Sequence, residues 1–276
     1  MKKRRTLLKF LLLSPLGRFI GSIITALGLG AYAGSKVYYK TYYYISREIE
    51  DKNKIILPLP KLIGTMSVEE ALAFRRSIRE YTDDPITLEK LSQILWAAYG
   101  ISEIKWGLRT APSAGACYPL EIYVIVSLNG VISDNGYIAP GIYHYNVQSH
   151  VLGLIKSGDF REELYKAALE QEWVRKAPVN IVITAIYERT TQRYGERGRI
   201  RYVHMDLGHV GQNIYLQATA LSLGTVAIGA FHDDNVKKII GLPDYEEPLY
   251  IMPLGVPSWK HRLSQEELKN FYDKYR

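Results

Sequence analysis

Helical and strand-like patterns of apolar positions alternate along the chain after about residue 66. Behind Thr87, the apolar residues Leu88, Leu91 and Leu95 recur every three or four positions, as on one face of a capped helix. Comparable patterns predict further helices at 67–77, 160–177, 201–222 and 235–242.

Runs rich in β-branched and aromatic residues predict the strands. "LEIYVIVS" (120–127) and "VNIVITAIY" (179–187) have the composition of core strands. A hairpin is predicted near 141–145 and 150–155, and a last strand at 247–258. Because strands and helices are interspersed, we expect an α+β fold with a mixed or antiparallel sheet flanked by helices.

The first 44 residues follow a different pattern, with a basic head, an apolar body and a tyrosine-rich exit. Residues 19–35 are uncharged, and at about 1.5 Å per residue they are just long enough to cross the hydrocarbon core of a bilayer. The basic head would stay in the cytoplasm. "RRTLLK" also resembles a twin-arginine export signal. We therefore expect either a membrane anchor with the main domain outside the cytoplasm, or export by a twin-arginine-type signal.

Composition adds limits to this organisation. We expect an anchor or signal at 1–44, a linker at 45–65 and one domain at 66–276. The net charge of +7 lies mostly in the first 18 residues, so the rest is nearly neutral. A nucleic-acid-binding face is therefore not expected. The six histidines have no helical pair spacing, so no metal site is expected.

The stretch "FRRSIREYTDDP" (74–85) concentrates basic residues after a predicted helix. If the helix ends just before them, Arg75, Ser77 and Arg79 share one face of an extended chain. Two guanidinium groups and a hydroxyl match a phosphate ester. The alternative is a solvated helix end paired with the acidic residues of 80–84.

Three later segments offer further ligand contacts. "TAPSAGACYPLEIYVI" (110–125) packs small residues before a strand, so backbone N–H groups can approach a ligand, although an ordinary tight turn has the same pattern. "GTVAIGAF" (224–231) presents small residues to a planar ring. "LGVPSWKHR" adds Lys260 and Arg262 after the last strand.

Four segments of the chain, taken in order, resemble the FMN-dependent nitroreductase family. They are "RRSIREY", "PSAGACYPLEIYVI", "GQNIYLQATALSLGTVAIGAF" and "PLGVP". More narrowly, the chain resembles its SagB-type branch, which includes thiazoline and oxazoline oxidases. The resemblance covers about residues 62–262. It implies a nitroreductase-like fold, a homodimer with flavins at the interface, and hydride transfer through bound FMN to or from a small organic or peptide substrate.

The resemblance also assigns residues to the flavin. The FMN phosphate and ribityl chain would be held by Arg75, Arg76, Ser77, Arg79, Lys260 and Arg262. The isoalloxazine ring would be lined by Ala227, Ile228, Gly229 and Ala230. The flavin bound mainly by the other subunit would be contacted by Pro112, Ser113, Ala114 and Gly115.

Azoline oxidases of this branch use a lysine–tyrosine pair, and the matching place in this chain holds Arg193 and Tyr194. Arginine is a poor proton acceptor because it stays charged, so this departure argues against peptide azoline oxidation. Tyr194 remains a candidate proton donor, and a solvated basic loop is the alternative. NAD(P)H is a candidate electron donor, with a quinone as the alternative outside the cytoplasm. The rival function is a non-catalytic flavin- or phosphate-binding protein on the same fold.

Overall fold

The computed structural model describes residues 54–276. The predicted anchor or signal at 1–44 and part of the linker lie outside the described residues. Within the described part, no helix is both long and apolar enough to cross a bilayer.

Seven of the twelve strands of the described chain form one central sheet, and the other five form a three-stranded and a two-stranded sheet. The twelve strands are β1 (Lys54–Ile56), β2 (Ile86–Thr87), β3 (Ile101–Glu103), β4 (Leu108–Arg109), β5 (Leu120–Val126), β6 (Val131–Ser133), β7 (Gly136–Tyr137), β8 (Gly141–Asn146), β9 (Val151–Ser157), β10 (Val179–Ile186), β11 (Gly224–Thr225) and β12 (Glu246–Gly255). The seven-stranded sheet has the order β1-β9-β8-β5-β10-β12-β11, and all its neighbours are antiparallel. The antiparallel alternative of the prediction is therefore the observed one, and β1 adds part of the predicted linker to the sheet edge.

Helices cover both faces of this sheet. They are α1 (Val68–Phe74), α2 (Leu88–Tyr99), α3 (Arg161–Ala167), α4 (Glu172–Lys176), α5 (Glu188–Tyr194), α6 (Val203–Ala220), α7 (Asp233–Ile240) and α8 (Gln265–Tyr275). On β10, Ile181 and Ile183 join the core that includes α2 and α6, whereas Val182 joins the core that includes α3, α4 and α7. Burial on both faces explains why this strand is apolar throughout.

The first helix is defined at both ends by its sequence. Ser67 caps α1, since its hydroxyl accepts from the Glu70 N–H while the Glu70 carboxylate accepts from the Ser67 N–H. The helix ends at Phe74, and Arg75 is already extended with ψ 128°. The helix therefore ends before the predicted 77, and the condition for Arg75, Ser77 and Arg79 to lie on an extended chain is met.

The bounds of the predicted helices were wrong in several places, and two of these differences have a visible backbone cause. The helix predicted at 160–177 is two helices, because Leu169 and Glu170 both have a left-handed φ of 56°. The long helix predicted at 201–222 ends at Ala220, and Ser222 just after it has a left-handed φ of 57°. Gly224 lies in β11, where an added Cβ would be 2.7 Å from the Ile78 side chain.

Candidate active site

The extended stretch after α1 lies beside β11. Ser77 forms a parallel bridge with Thr225, and the Ile78 N–H donates to the Thr225 carbonyl at 2.9 Å. The arginine-rich stretch and the segment beginning at Gly224 are therefore neighbours, as they must be if both contact one ligand.

Tyr215 of α6 joins these two segments. Its hydroxyl lies 3.0 Å from the Ser77 hydroxyl and accepts from the Ala227 N–H at 2.7 Å. The Arg75 guanidinium lies 5.2 Å from the centre of the Tyr215 ring. Arg75 and Ser77 therefore meet the same side chain, which agrees with their expected common face.

A cavity open to solvent lies next to this junction. Its basic side chains are Arg76, Lys260, His261 and Arg262, and we call these four residues and the space between them the basic cavity. Aromatic rings form part of its wall, and the Arg262 guanidinium lies 4.4 Å from the centre of the Phe74 ring. Among the described residues, no carboxylate forms a salt bridge with Arg76, Lys260 or Arg262.

Arg76 is fixed by backbone and side-chain acceptors. Its Nη1 donates to the Arg75 carbonyl at 2.6 Å, at the carboxyl end of α1 where a cation is favourable. Its Nη2 lies 2.6 Å from Nε2 of His261. Because a guanidinium can only donate, this His261 nitrogen accepts and carries no proton. Burial, and then the Arg76 charge, lower the pKa of His261.

The residues of the basic cavity fit a phosphate group. Three permanent or nearly permanent cations with no described carboxylate partner would gain a charge-assisted contact from an anion. Thr225 also lines the cavity, and its buried hydroxyl has no hydrogen-bond partner among the described residues. A buried polar atom of this kind is expected to have a partner, and a phosphate oxygen could supply one.

The other basic residues of the motif are placed differently. Arg79 is exposed, and its guanidinium lies 5.4 Å from the centre of the Trp173 ring. In the described chain it does not line the basic cavity, and neither does Arg75. The alternative of pairing with residues 80–84 is also not seen in the described part, where Asp84 accepts from Thr82 at 2.8 Å instead.

The segment 227–230 divides into a buried and an exposed part. Ile228 is buried in the core with α3, α4 and α7 and exchanges backbone hydrogen bonds with Ile251. Its side chain therefore does not lie on the predicted ring surface. Gly229 and Ala230 are exposed, and an added Cβ at Gly229 would meet nothing within 4 Å.

The loop at 112–118 is held by α6. The Ser113 hydroxyl donates to Asp206 Oδ2 at 2.5 Å and accepts from the Tyr118 N–H at 2.9 Å. Burial raises the pKa of Asp206, against the lowering effect of the hydrogen bonds from Ser113 and Ala114. Gly115 has φ 60°, a left-handed conformation that glycine adopts without strain. Pro112 is exposed, and its carbonyl lies 3.2 Å from Nδ1 of His209.

Arg193 and Tyr194, at the end of α5, contact this same loop. The Arg193 guanidinium donates to the Gly115 carbonyl at 3.1 Å. A Cβ added to Gly115 would lie 2.5 Å from the Tyr194 hydroxyl, so a larger residue would displace this side chain. The segment predicted as the catalytic pair or a basic loop is thus helical and adjoins the predicted flavin-contacting loop.

These residues form two groups at the two ends of α6. Asp206, which holds the 112–118 loop, is in the first turn of the helix, and Tyr215 is nine positions later near the basic cavity. At a rise of about 1.5 Å per residue, they are separated by about 14 Å along the helix axis. Within one chain, the loop group and the basic cavity therefore belong to different regions.

A second set of charges is paired internally. Glu121 accepts from Arg189 at 2.5 Å and lies 2.8 Å from Nε2 of His144; we call these three residues the Glu121 cluster. Burial alone would raise the pKa of Glu121, but Arg189 and His144 hold it well below its usual range. Arg189 also donates to the Tyr118 carbonyl at 3.1 Å, so the cluster supports the end of the loop.

The family of the chain follows from comparison with known proteins. The nitroreductase family model matches residues 72–256, which include the arginine motif, the loop at 112–118 and the segment 224–230. The chain belongs to the nitroreductase family. A nitroreductase-family protein of Methanocaldococcus jannaschii is 46% identical over 193 residues, covering 70% of this chain and 92% of the relative.

The chain is also similar to proteins with other printed functions and to solved structures. The microcin B17-processing protein McbC of Escherichia coli is 24% identical and covers 69% of this chain and 71% of the relative. An NAD(P)H-dependent FMN reductase of Bacillus subtilis is 25% identical, covering 74% of this chain and 72% of the relative. The crystal structure of a nitroreductase-family protein from Ralstonia eutropha has a TM-score of 0.65 and 27% identity, covering 75% of this chain and 90% of that one.

Sequence reasoning missed several residues of the candidate site. Tyr215 lies in the apolar run of a predicted helix and carried no distinguishing signal. Asp206 is the acidic residue in the first turn of that helix, which the sequence shows, whereas its burial is seen only in the structure. His261 lies between Lys260 and Arg262 in the sequence, and the spacing of the histidines bears only on a metal site.

Proposed function

We propose that this nitroreductase-family protein is an FMN-dependent oxidoreductase acting on a small organic or peptide substrate. The observation that carries the proposal is the basic cavity, whose cations have no described carboxylate partner and lie beside the segment 224–230. Bound FMN would supply hydride transfer to or from the substrate.

The residues of the cavity would bind the phosphate. Arg76, Lys260 and Arg262 would donate charge-assisted hydrogen bonds to its oxygens, and the orphaned Thr225 hydroxyl would donate a further one. Arg75 and Ser77 would act beside them through Tyr215, which holds the Ser77 hydroxyl and the Ala227 N–H in place. Gly229 and Ala230 leave open surface on which a planar ring can lie.

The second group of residues would complete the site in a homodimer. The Ser113–Gly115 loop and the basic cavity lie at opposite ends of α6 in one chain. A second copy could bring its loop to the first copy's cavity. Tyr194, whose hydroxyl adjoins Gly115, would then be available to donate a proton or orient the substrate.

The hydrogen bond and the charge of Arg193 limit the role that this residue can have in the reaction. Its guanidinium already donates to the Gly115 carbonyl, and it cannot accept a proton at ordinary pH. A role in positioning the loop therefore fits Arg193 better than a role as a base.

The similarity to a microcin-processing protein supports a peptide as one substrate class to test. NAD(P)H is the proposed electron donor, as the similarity to an NAD(P)H-dependent FMN reductase suggests.

The basic and apolar segment at the N-terminus bears on where the protein is located. We propose that the segment 1–44 anchors the domain to a membrane or exports it, with the catalytic domain outside the cytoplasm. Cell fractionation and protease treatment of spheroplasts, in which the cytoplasmic membrane stays intact, would test this. Digestion of the domain in spheroplasts supports the proposal, and protection of the domain there would contradict it.

Purification in the presence of FMN tests the function. We expect a yellow protein whose flavin is bleached by NAD(P)H or another donor and is reoxidised by an added acceptor with turnover. A protein that binds FMN but turns over with no donor and acceptor pair would favour the non-catalytic rival. A colourless protein that cannot be reconstituted with FMN would contradict both.

A further inference from the structure

His261 is the one titratable imidazole among the side chains that line the basic cavity in the described chain. Lys260 and Arg262 flank it in the sequence, and Arg76 meets it from the end of α1 with 2.6 Å between Nη2 and Nε2. Tyr215 of α6 lines the same cavity, and Glu267 of α8 is the acidic group whose charge acts on the imidazole.

This environment opposes a proton on His261 while the cavity holds no anion. The Nε2 atom already accepts from Arg76, so protonating it would place two N–H donors against each other and add a further cation to the cluster. Glu267 offsets little of this, because its carboxylate is committed to capping α8 through the Ser264 N–H at 2.7 Å.

A phosphate dianion would reverse that preference. Its oxygens would replace Nε2 as acceptors for Arg76, which frees the imidazole nitrogen. Two negative charges beside His261 then favour the imidazolium, which can donate its new N–H to a phosphate oxygen.

We propose that His261 takes up a proton when a phosphate ester fills the basic cavity and thereby becomes an additional phosphate ligand. The N–H bond forms at Nε2, and the proton comes from solvent. This inference rests on the proposed function in that FMN is taken as the ester. It adds a proton-linked residue to the arginine and lysine contacts.

Calorimetric titration of the full chain with FMN measures this uptake directly. At about pH 7.5 the FMN phosphate is already largely dianionic, since the second pKa of a phosphate ester is about 6. Repeating the titration in buffers with different ionisation enthalpies gives the number of protons exchanged. We expect a fraction of a proton to be taken up per FMN and none with riboflavin, which lacks the phosphate.

Two variants assign the uptake to a residue. His261→Gln keeps an acceptor for Arg76 but cannot be protonated, so uptake should disappear while FMN still binds. His204→Gln is the matched control, since His204 is exposed and does not line the cavity, and its uptake should equal that of the wild type. Imidazole resonances of the wild-type chain provide an independent reading, with the pKa of His261 rising when FMN is added.

The outcomes separate this inference from the function beneath it. FMN binding with no proton uptake, or equal uptake in His261→Gln, would overturn the role of His261 and leave the flavin proposal intact. Absence of saturable FMN binding in the wild type would overturn the flavin proposal itself, and this inference with it.

Discussion

The basic cavity and the Glu121 cluster contain the same kinds of cationic side chain but neutralise them differently. In the Glu121 cluster, both carboxylate oxygens are occupied, one by Arg189 at 2.5 Å and the other by His144 at 2.8 Å. In the basic cavity, no described carboxylate lies within salt-bridge distance of Arg76, Lys260 or Arg262.

This difference indicates separate roles for the two regions. A buried cation that already has an anion contributes to the fold, and removing its partner leaves an uncompensated charge. Cations that have no carboxylate partner within the protein repel one another, and a bound anion lowers this electrostatic repulsion. We therefore expect substitutions in the cavity to change ligand binding and substitutions in the Glu121 cluster to change stability.

The largest expected effect is on FMN binding. Replacing Arg76 and Arg262 together with Ala removes two charge-assisted contacts of roughly 1.5–3 kcal/mol each, so FMN affinity should fall by about 100-fold or more. Fluorescence titration measures this, and urea unfolding of the FMN-free protein should change little.

The matched control for that variant removes the same number of positive charges at a site away from the basic cavity. Lys166→Ala with Arg175→Ala removes two exposed cations that pair with Glu162 and Glu172. This control should bind FMN like the wild type. Equal loss of affinity in both variants would mean that overall charge, not the cavity, governs binding.

The next effect is on stability. Glu121→Ala leaves Arg189 without its anion, and we expect a loss of about 3 kcal/mol in the free energy of unfolding. Urea denaturation measures it, and FMN affinity of the folded fraction should stay close to that of the wild type. Adding Arg189→Met to Glu121→Ala should recover part of the loss, because the uncompensated charge is then gone. A Glu121→Ala protein of wild-type stability would contradict the structural role of the cluster.

Acid should weaken the Glu121 cluster selectively. The folded-state pKa of Glu121 lies below its unfolded value, so its contribution is present above the unfolded pKa and is lost as pH falls toward the folded pKa. Between about pH 5 and about pH 3 the wild type should therefore lose stability more steeply than Glu121→Gln, which cannot titrate there. Urea unfolding across this range tests the difference, and parallel slopes for the two proteins would refute it.

A smaller effect is expected at the junction between the cavity and segment 224–230. Tyr215→Phe removes the hydroxyl that meets Ser77 and accepts from the Ala227 N–H. The net loss should be about 1 kcal/mol in stability, with a several-fold weaker FMN affinity. Tyr250→Phe is the control, because Tyr250 is a partly buried tyrosine of β12 outside this junction, and its FMN affinity should equal that of the wild type. An unchanged FMN affinity in Tyr215→Phe would contradict the positioning role of the Tyr215 hydroxyl.

Local signals in the sequence defined much of the fold but left the site geometry open. The Ser67 capping box and the Thr87 cap predicted the starts of α1 and α2, because a cap depends on residues three positions away. The break at Leu169 and Glu170 could not be seen, since leucine and glutamate are ordinary helix formers and neither signals a left-handed φ.

The site shows the same limit. Alternation along an extended chain grouped Arg75, Ser77 and Arg79, but only Arg75 and Ser77 meet at Tyr215, whereas Arg79 lies beside Trp173. Alternation also could not show that Arg76 reaches the cavity, because that depends on the segment after β12. Tyr215 and Asp206 were missed for the same reason: each acts through contacts with residues distant in sequence. Family resemblance supplied the remaining assignments, which substitution must test one residue at a time.

Comparing FMN with riboflavin on the wild-type chain tests the central claim most directly, since the two ligands share the ring and differ only in the phosphate. If the basic cavity grips that phosphate, FMN should bind at least about 100-fold more tightly, as two or more charge-assisted contacts require. Equal affinities for the two ligands, measured by fluorescence quenching in the same buffer, would contradict the account.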